Sequence, residues 1–121
     1  MANEPITPSH GQLDIRRSQR VVVQMPVTVQ GGSAKAAPFA DPSYALVINA
    51  HGCLITLSRP VRLGERLSLQ RAGTREKQEC RVVYLGQKQG GRTEVGLRFK
   101  TVAPQFWGLV NPPLDWKNAT N

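Results

Sequence analysis

The stretch that determines the fold class of this chain is a run of alternating apolar residues, Val21-Val22-Val23-Gln24-Met25-Pro26-Val27-Thr28-Val29-Gln30. Every odd-numbered position in it is Val or Met. Successive side chains of a β-strand point to opposite faces, so this period of two predicts a strand with one face on a core. Pro26 lies on the other phase, and because proline cannot donate a ladder hydrogen bond it predicts an edge or a bulge there.

The rest of the chain repeats this pattern in short segments. Strands are predicted at residues 44–48, 53–57, 66–70, 79–85 and 92–99, the last with Val95, Leu97 and Phe99 facing inward. Gly31-Gly32-Ser33 is expected to end the first strand, with a loop to about residue 43, and residues 87–91 are expected to form a hairpin loop. About six short strands without a long helix predict an all-β protein, either a small antiparallel barrel or a compact sandwich.

The two ends of the chain lack this alternation. Residues 1–15 contain two prolines and a glycine without periodicity and are interpreted as a flexible arm. Residues 104–110 are expected to form one helical turn whose aromatic side chains pack on the barrel. Trp107 and Trp116 are expected to anchor the tail, and the alternative is an exposed aromatic patch for a partner. The predicted organisation is an arm at 1–15, a barrel domain at 16–103 and a packed tail at 104–121.

Composition limits the function classes. The 121 residues fit one domain, and 16 Lys and Arg against 8 Asp and Glu give a net charge of +8, which attracts anions. No apolar run approaches the ~20 residues that span a bilayer, and the first residues do not resemble a secretory signal, so a cytoplasmic protein is expected. The two cysteines, Cys53 and Cys80, are expected to be buried thiols, although a disulfide between them stays open.

Two clusters of polar residues are candidates for a binding site. The first is the basic cluster Arg16-Arg17-Ser18-Gln19-Arg20 just before the first strand, and the second is the tight turn Asn49-Ala50-His51-Gly52. Arginine binds phosphate bidentately, stacks on purines and donates to guanine edges. Residues four apart share a face in extended or helical chain, so Arg16 and Arg20 can grip one anion. The alternative is a solvated basic arm.

The order and spacing of these clusters resemble the PilZ domain family, small bacterial β-barrels that bind cyclic di-GMP. The family pattern Arg-x-x-x-Arg matches Arg16 and Arg20, and Asp/Asn-x-Ser-x-x-Gly aligns with Val47-x-Asn49-x-x-Gly52. Residues 94–99 are similar to a common Val-Gly-Leu-x-Phe strand of the family, and the resemblance covers about residues 16–100. It implies a six-stranded antiparallel barrel of the split-barrel type and a stand-alone module that signals through a partner protein.

The resemblance also implies a set of ligand contacts. Cyclic di-GMP would be bound by Arg16 and Arg20, with Arg17 in support, and by Asn49, His51 and Gly52. Gly52 is expected to supply a positive φ or a close backbone approach. Asn49 would donate or accept hydrogen bonds, and His51 would stack on a base or donate to phosphate, the alternative being an exposed turn residue.

Val47 departs from the family pattern. It stands where the family has an acceptor for the guanine edge, and losing that contact costs about 10-fold to 100-fold in affinity. A degenerate PilZ adaptor that acts only by protein contacts is therefore a second hypothesis. A barrel that binds nucleic acid is a weaker hypothesis than these two. Such barrels stack bases on exposed aromatic side chains, whereas the seven aromatic residues here mostly fit the core and tail. No catalytic triad order, metal cluster or phosphate loop is present, so neither an enzyme nor a cofactor is expected.

Overall fold

The computed structural model describes residues 18–33 and 36–121. Within these residues the chain forms a closed antiparallel barrel in the order β1-β2-β3-β6-β5-β4. Its strands are β1 Val21–Ser33, β2 Ala36–Asn49, β3 Gly52–Leu57, β4 Arg66–Arg71, β5 Lys77–Gln89 and β6 Arg92–Phe99. The prediction of an all-β, six-stranded antiparallel barrel is confirmed.

The core follows the alternation read from the sequence. Val27 and Val29 of β1 are buried, and so are Leu67 and Leu69 of β4. In β6, Val95, Leu97 and Phe99 all face the core, as expected. Because the strands close on themselves, these inward positions fill the barrel, while the alternate positions form its outer face.

The first hairpin is longer than the sequence indicated. The expected break at Gly31-Gly32-Ser33 and the loop to residue 43 are wrong, because β1 runs to Ser33 and β2 starts at Ala36. Gly31 pairs with Phe39, and a Cβ on Gly31 would lie 2.5 Å from Cε1 of that ring. The glycine therefore permits close packing of an aromatic ring across the strands and does not end the strand.

The prolines of this hairpin lie where the strands have one partner. Pro38 and Pro42 precede Ala45, where the pairing of β2 with β3 begins. Pro26 precedes Val27, where the pairing of β1 with β4 begins, and the register of β1 shifts between Val22 and Met25. The sequence predicted an edge or a bulge near Pro26, and both are present: Pro26 pairs with β2 alone, and the bulge of β1 lies just before it.

Strand β5 also extends further than expected at both ends, whereas β6 has the bounds expected for it. Because β5 ends at Gln89 and β6 begins at Arg92, the loop predicted at residues 87–91 is reduced to a turn of Gly90 and Gly91. Both glycines have positive φ, 59° and 79°, which favours glycine in this turn.

The C-terminal tail packs on the barrel. Its helical turn is a 3-10 helix at Leu114–Trp116, whereas residues 104–107 form a non-helical turn, so the position expected for the helical turn is wrong. The rings of Phe106 and Trp107 contact each other and Phe99 at centroid distances of 4.9–5.8 Å. Trp107 and Trp116 are fully buried, which confirms them as anchors and excludes the alternative of an exposed patch formed by these two rings.

The two thiols are buried and form no disulfide. Burial, together with the nearby thiol of Cys80, raises the pKa of Cys53 well above its ordinary value. Burial also raises the pKa of Cys80 to about 12, with a smaller contribution from the negative charge of Glu79. Both residues are therefore small, protonated core residues, as the sequence predicted.

Candidate functional site

The described part of the basic cluster, residues 18–20, meets the predicted turn at one end of the barrel. The turn between β2 and β3 comprises Ala50 and His51, flanked by the paired residues Asn49 and Gly52. Val21 pairs with Ile48, so the chain that enters β1 passes beside this turn. Residues 18–20 thus lie between the turn and the C-terminal tail.

Ser18 fixes the end of the basic cluster to the turn. Its side chain is buried, and its Oγ accepts a hydrogen bond from the backbone N–H of Ala50 at 3.0 Å. The same Oγ lies 3.0 Å from Nδ1 of His51. The backbone carbonyl of Ser18 accepts a further hydrogen bond from Nδ2 of Asn49 at 3.1 Å. Three contacts to three consecutive residues of the turn therefore hold this one serine in place.

Asn49 caps the turn with its side chain. Its Oδ1 accepts hydrogen bonds from the backbone N–H groups of His51 and Gly52, each at 2.9 Å. An amide oxygen has two lone pairs, so both are used by these donors. The residue is only 1% exposed. In this conformation Asn49 is a local turn residue that also holds Ser18, and its oxygen has no further lone pair for a ligand.

His51 connects the turn to the segment before β1 and to the C-terminal tail. The residue is buried, with 2% exposure, so the alternative interpretation as an exposed turn residue is wrong. Its Nε2 lies 2.7 Å from the carbonyl oxygen of Thr120, and its Nδ1 faces Ser18. The neutral tautomer with hydrogen on Nε2 satisfies every group: Nε2–H donates to Thr120, and the Ser18 hydroxyl donates to Nδ1.

Gly52 allows strands β3 and β6 to approach closely. It pairs with Arg98, and a Cβ on Gly52 would collide with the carbonyl oxygen of Leu97. Its φ is not positive, so of the two roles expected for this glycine the close backbone approach is confirmed.

The tail completes the enclosure of the turn. The indole Nε1 of Trp107 donates to the carbonyl of Asn49 at 2.9 Å, and that of Trp116 donates to the carbonyl of Gln19 at 2.7 Å. The backbone N–H of Gln19 donates to the Asp115 carboxylate at 2.9 Å. The sequence predicted that the tryptophans pack on the barrel, but it did not predict these hydrogen bonds. No local sequence pattern marks contacts between residues that are far apart in the chain.

The arginines of the first cluster are only partly within the described residues. Arg16 and Arg17 lie outside them, so their predicted contacts are not addressed by the structure. Arg20 is half-buried and interacts with the rest of the protein. It stands directly before β1 and is therefore next to the turn.

Val47 belongs to an apolar row on the outer face of the barrel. It pairs with Val22 on β1 and with Leu54 on β3. Val22 is 84% exposed, whereas Val47 and Leu54 are half-buried. Where the family pattern has an acceptor, this chain presents hydrocarbon, which has no hydrogen-bonding group.

The comparisons with known proteins agree with this geometry. The sequence profile of the PilZ domain matches residues 14–106. The chain belongs to the PilZ domain family. The match includes the basic cluster, the turn and all six strands described above. Among curated proteins, no match to the chain was found.

Family membership has general implications for function. PilZ domains are in general cyclic di-GMP-binding adaptors and are not typically enzymes. Among residues 18–33 and 36–121, no group of three or more acidic, His or Cys side chains is arranged to hold a metal ion. In the same residues, none of the helices has the length and apolar character needed to cross a membrane.

Proposed function

We propose that this protein is a stand-alone PilZ receptor that binds cyclic di-GMP through Arg16 and Arg20, supported by Arg17, at the Asn49–Gly52 turn. The module would act in the bacterial cytoplasm and pass the signal to a partner protein by a change in its surface. Two arginine forks suit a ligand with two phosphates and two guanines, since each fork binds phosphate bidentately or donates to a guanine edge.

The observation that carries this proposal is the attachment of Ser18 to the turn. Ser18 is buried and bonded to Asn49, Ala50 and His51. Arg16 precedes it by two residues, which span at most about 7 Å of extended chain. Covalent connection alone therefore keeps the arginine cluster close to the turn, and less ordering entropy is lost when the ligand is bound.

The turn residues support binding by position. Asn49 and His51 use their polar atoms to hold Ser18, the tail and the turn itself. Their proposed role is to define the surface against which the arginines close, with Gly52 keeping β3 and β6 close together beneath it. Replacing them is expected to weaken ligand binding by releasing the arginine segment.

Calorimetric titration with cyclic di-GMP tests the proposal. The native protein should bind the dinucleotide, and GTP should not reproduce the heat. The Arg16→Ala/Arg20→Ala variant should lose about 100-fold or more in affinity, because each charge-assisted contact contributes about 1.5–3 kcal/mol. Arg62→Ala/Arg75→Ala is the matched control, since it removes two charges from exposed arginines elsewhere and should bind normally. Equal losses in both double variants would refute a specific arginine site.

A second candidate function is a PilZ adaptor that does not bind the nucleotide. It is favoured by Val47, which lacks an acceptor, and by Asn49 and His51, whose polar atoms are bonded within the protein. In that case the same titration gives no heat at high cyclic di-GMP, while the protein remains folded. The basic cluster would then serve contacts with an effector protein.

A further inference from the structure

The C-terminal tail brings a carboxylate to the basic cluster. The Oδ2 atom of Asp115 accepts a hydrogen bond from the backbone N–H of Gln19 at 2.9 Å. Trp116 contacts the same residue, because its indole donates to the carbonyl of Gln19 at 2.7 Å. Gln19 lies between Arg16 and Arg20 in the chain. The tail therefore holds Asp115 beside the segment that carries the proposed ligand arginines.

Asp115 is held in position and is also open to solvent. It lies in the 3-10 helix Leu114–Trp116, and the neighbouring Trp116 is fully buried. Asp115 itself is exposed. A carboxylate has two oxygens with about four lone pairs, and the contact with Gln19 involves one oxygen. Asp115 can therefore accept hydrogen bonds from a ligand and keep its contact with Gln19.

The turn next to this segment uses its acceptors within the protein. The backbone carbonyls of Asn49, Ala50 and His51 each accept a hydrogen bond from another part of the chain, at 2.7–2.9 Å. The side-chain oxygen of Asn49 accepts two more, and the side chain of Val47 has no polar atom. A base that lies at this turn therefore meets an acceptor in Asp115 more readily than in the turn itself.

We infer that Asp115 is a specificity-determining residue of the proposed cyclic di-GMP site, with its carboxylate bound to the Watson–Crick edge of one guanine. This inference rests on the proposed function. The guanine edge presents N1–H and the 2-amino group side by side, and the two oxygens of a carboxylate accept from both donors at once. Asp115 lies beyond residues 14–106, which the family profile matches, so the family pattern did not indicate it.

The charge of the ligand distinguishes this role from a purely structural one. Cyclic di-GMP carries two negative phosphates, and a carboxylate that does not contact the ligand repels them. In that case Asp115→Asn leaves the affinity unchanged or raises it. If Asp115 binds guanine, the same substitution lowers the affinity, because the charge-assisted bonds are lost and the amide turns a donor towards a donor. The introduced amide oxygen can still accept from Gln19, so the tail stays in place.

The test is calorimetric titration with cyclic di-GMP and with its inosine analogue, in which the base lacks the 2-amino group. The native protein should bind cyclic di-GMP about 10-fold more tightly than the analogue, because the analogue loses one charge-assisted contact. Asp115→Asn should weaken cyclic di-GMP binding about 10-fold or more and bring the two affinities within about threefold of each other. Glu76→Gln is the matched control, since it removes an exposed carboxylate between β4 and β5 and should leave both affinities within about twofold.

The outcomes separate this inference from the proposed function. Binding of neither ligand to the native protein overturns the proposed function and this inference with it. Native binding of cyclic di-GMP that is unchanged or tighter in Asp115→Asn overturns this inference alone. An equal loss for both ligands in Asp115→Asn, with the native preference between them retained, also overturns it, because that result assigns Asp115 to holding the tail.

Discussion

Replacing Asn49 by alanine tests whether the turn is held by its side chain. The amide accepts two backbone hydrogen bonds, from His51 and Gly52, and donates one to the Ser18 carbonyl. The site is almost completely buried, with Asn49 at 1% exposure. Alanine leaves two N–H groups and one carbonyl without these partners and supplies no polar atom in exchange.

The expected loss follows from these three contacts. An intramolecular hydrogen bond contributes about 0.5–1.5 kcal/mol net, and a buried group left without a partner costs about 1–3 kcal/mol. Three contacts at the middle of the first range predict a loss of about 3 kcal/mol in the free energy of unfolding. That is a large fraction of the 5–15 kcal/mol typical of a domain and corresponds to a fall of roughly 12 °C in Tm.

Urea unfolding followed by tryptophan fluorescence measures this loss. Trp107 and Trp116 are buried, and Trp107 donates to the carbonyl of Asn49, so both report on the site. Asn49→Ser is the matched variant, because its hydroxyl still accepts from a turn N–H while the donor to Ser18 is lost. It should lose about half as much as alanine. A loss below about 1 kcal/mol for Asn49→Ala, or equal losses for both variants, would refute the reasoning.

Three further predictions use the same unfolding assay or calorimetry. Gly52→Ala should cost about 3 kcal/mol, because its methyl group collides with the Leu97 carbonyl; a loss below about 1 kcal/mol would contradict this. Arg81→Gln should raise Tm by roughly 2 °C at low salt and less at high salt, since it removes the like-charge pair with Arg66 directly opposite; a fall in Tm would contradict this repulsion. The free energy of unfolding should decrease as pH rises above the ordinary thiol value of 9.0, because the folded state keeps Cys53 and Cys80 protonated (Cys80 to a pKa of about 12) whereas the unfolded chain ionises them. The slope of the free energy of unfolding against pH approaches about 1.4 kcal/mol per pH unit for each thiol. Cys80→Ala should remove the contribution of Cys80 to this slope.

The parts of the fold that depend on local alternation could be predicted from the sequence. The odd positions of residues 21–29 face the core, and β6 has the bounds expected for it. The error at Gly31 has a non-local cause. Glycine next to glycine usually marks a turn, but here it makes room for the ring of Phe39 on the neighbouring strand. Only the paired structure distinguishes these two uses.

The ligand contacts of the candidate site stay a prediction, and the structure describes only the protein contacts of the turn and of residues 18–20. Ser18, the first described residue of the basic cluster, is bonded to the turn. The burial of His51 could not be predicted, because it depends on Thr120, which is 69 positions away in the chain. Likewise, Arg66, Arg81 and Arg98 become neighbours only through the register of β4, β5 and β6, and no single stretch of the sequence contains them.

The geometry separates residues that hold the site from residues that carry its charge. Asn49, His51 and Ser18 are buried, and their hydrogen bonds join the turn to the segment before β1 and to the C-terminal tail. Substitutions there should change folding stability and ligand affinity together, because the arginine segment is released when the turn loosens. Arg16→Ala should instead lower the affinity for cyclic di-GMP, because in the proposed function this arginine contacts the ligand. A loss of affinity together with stability would therefore identify residues that hold the site, and a loss of affinity alone would identify residues that face the ligand.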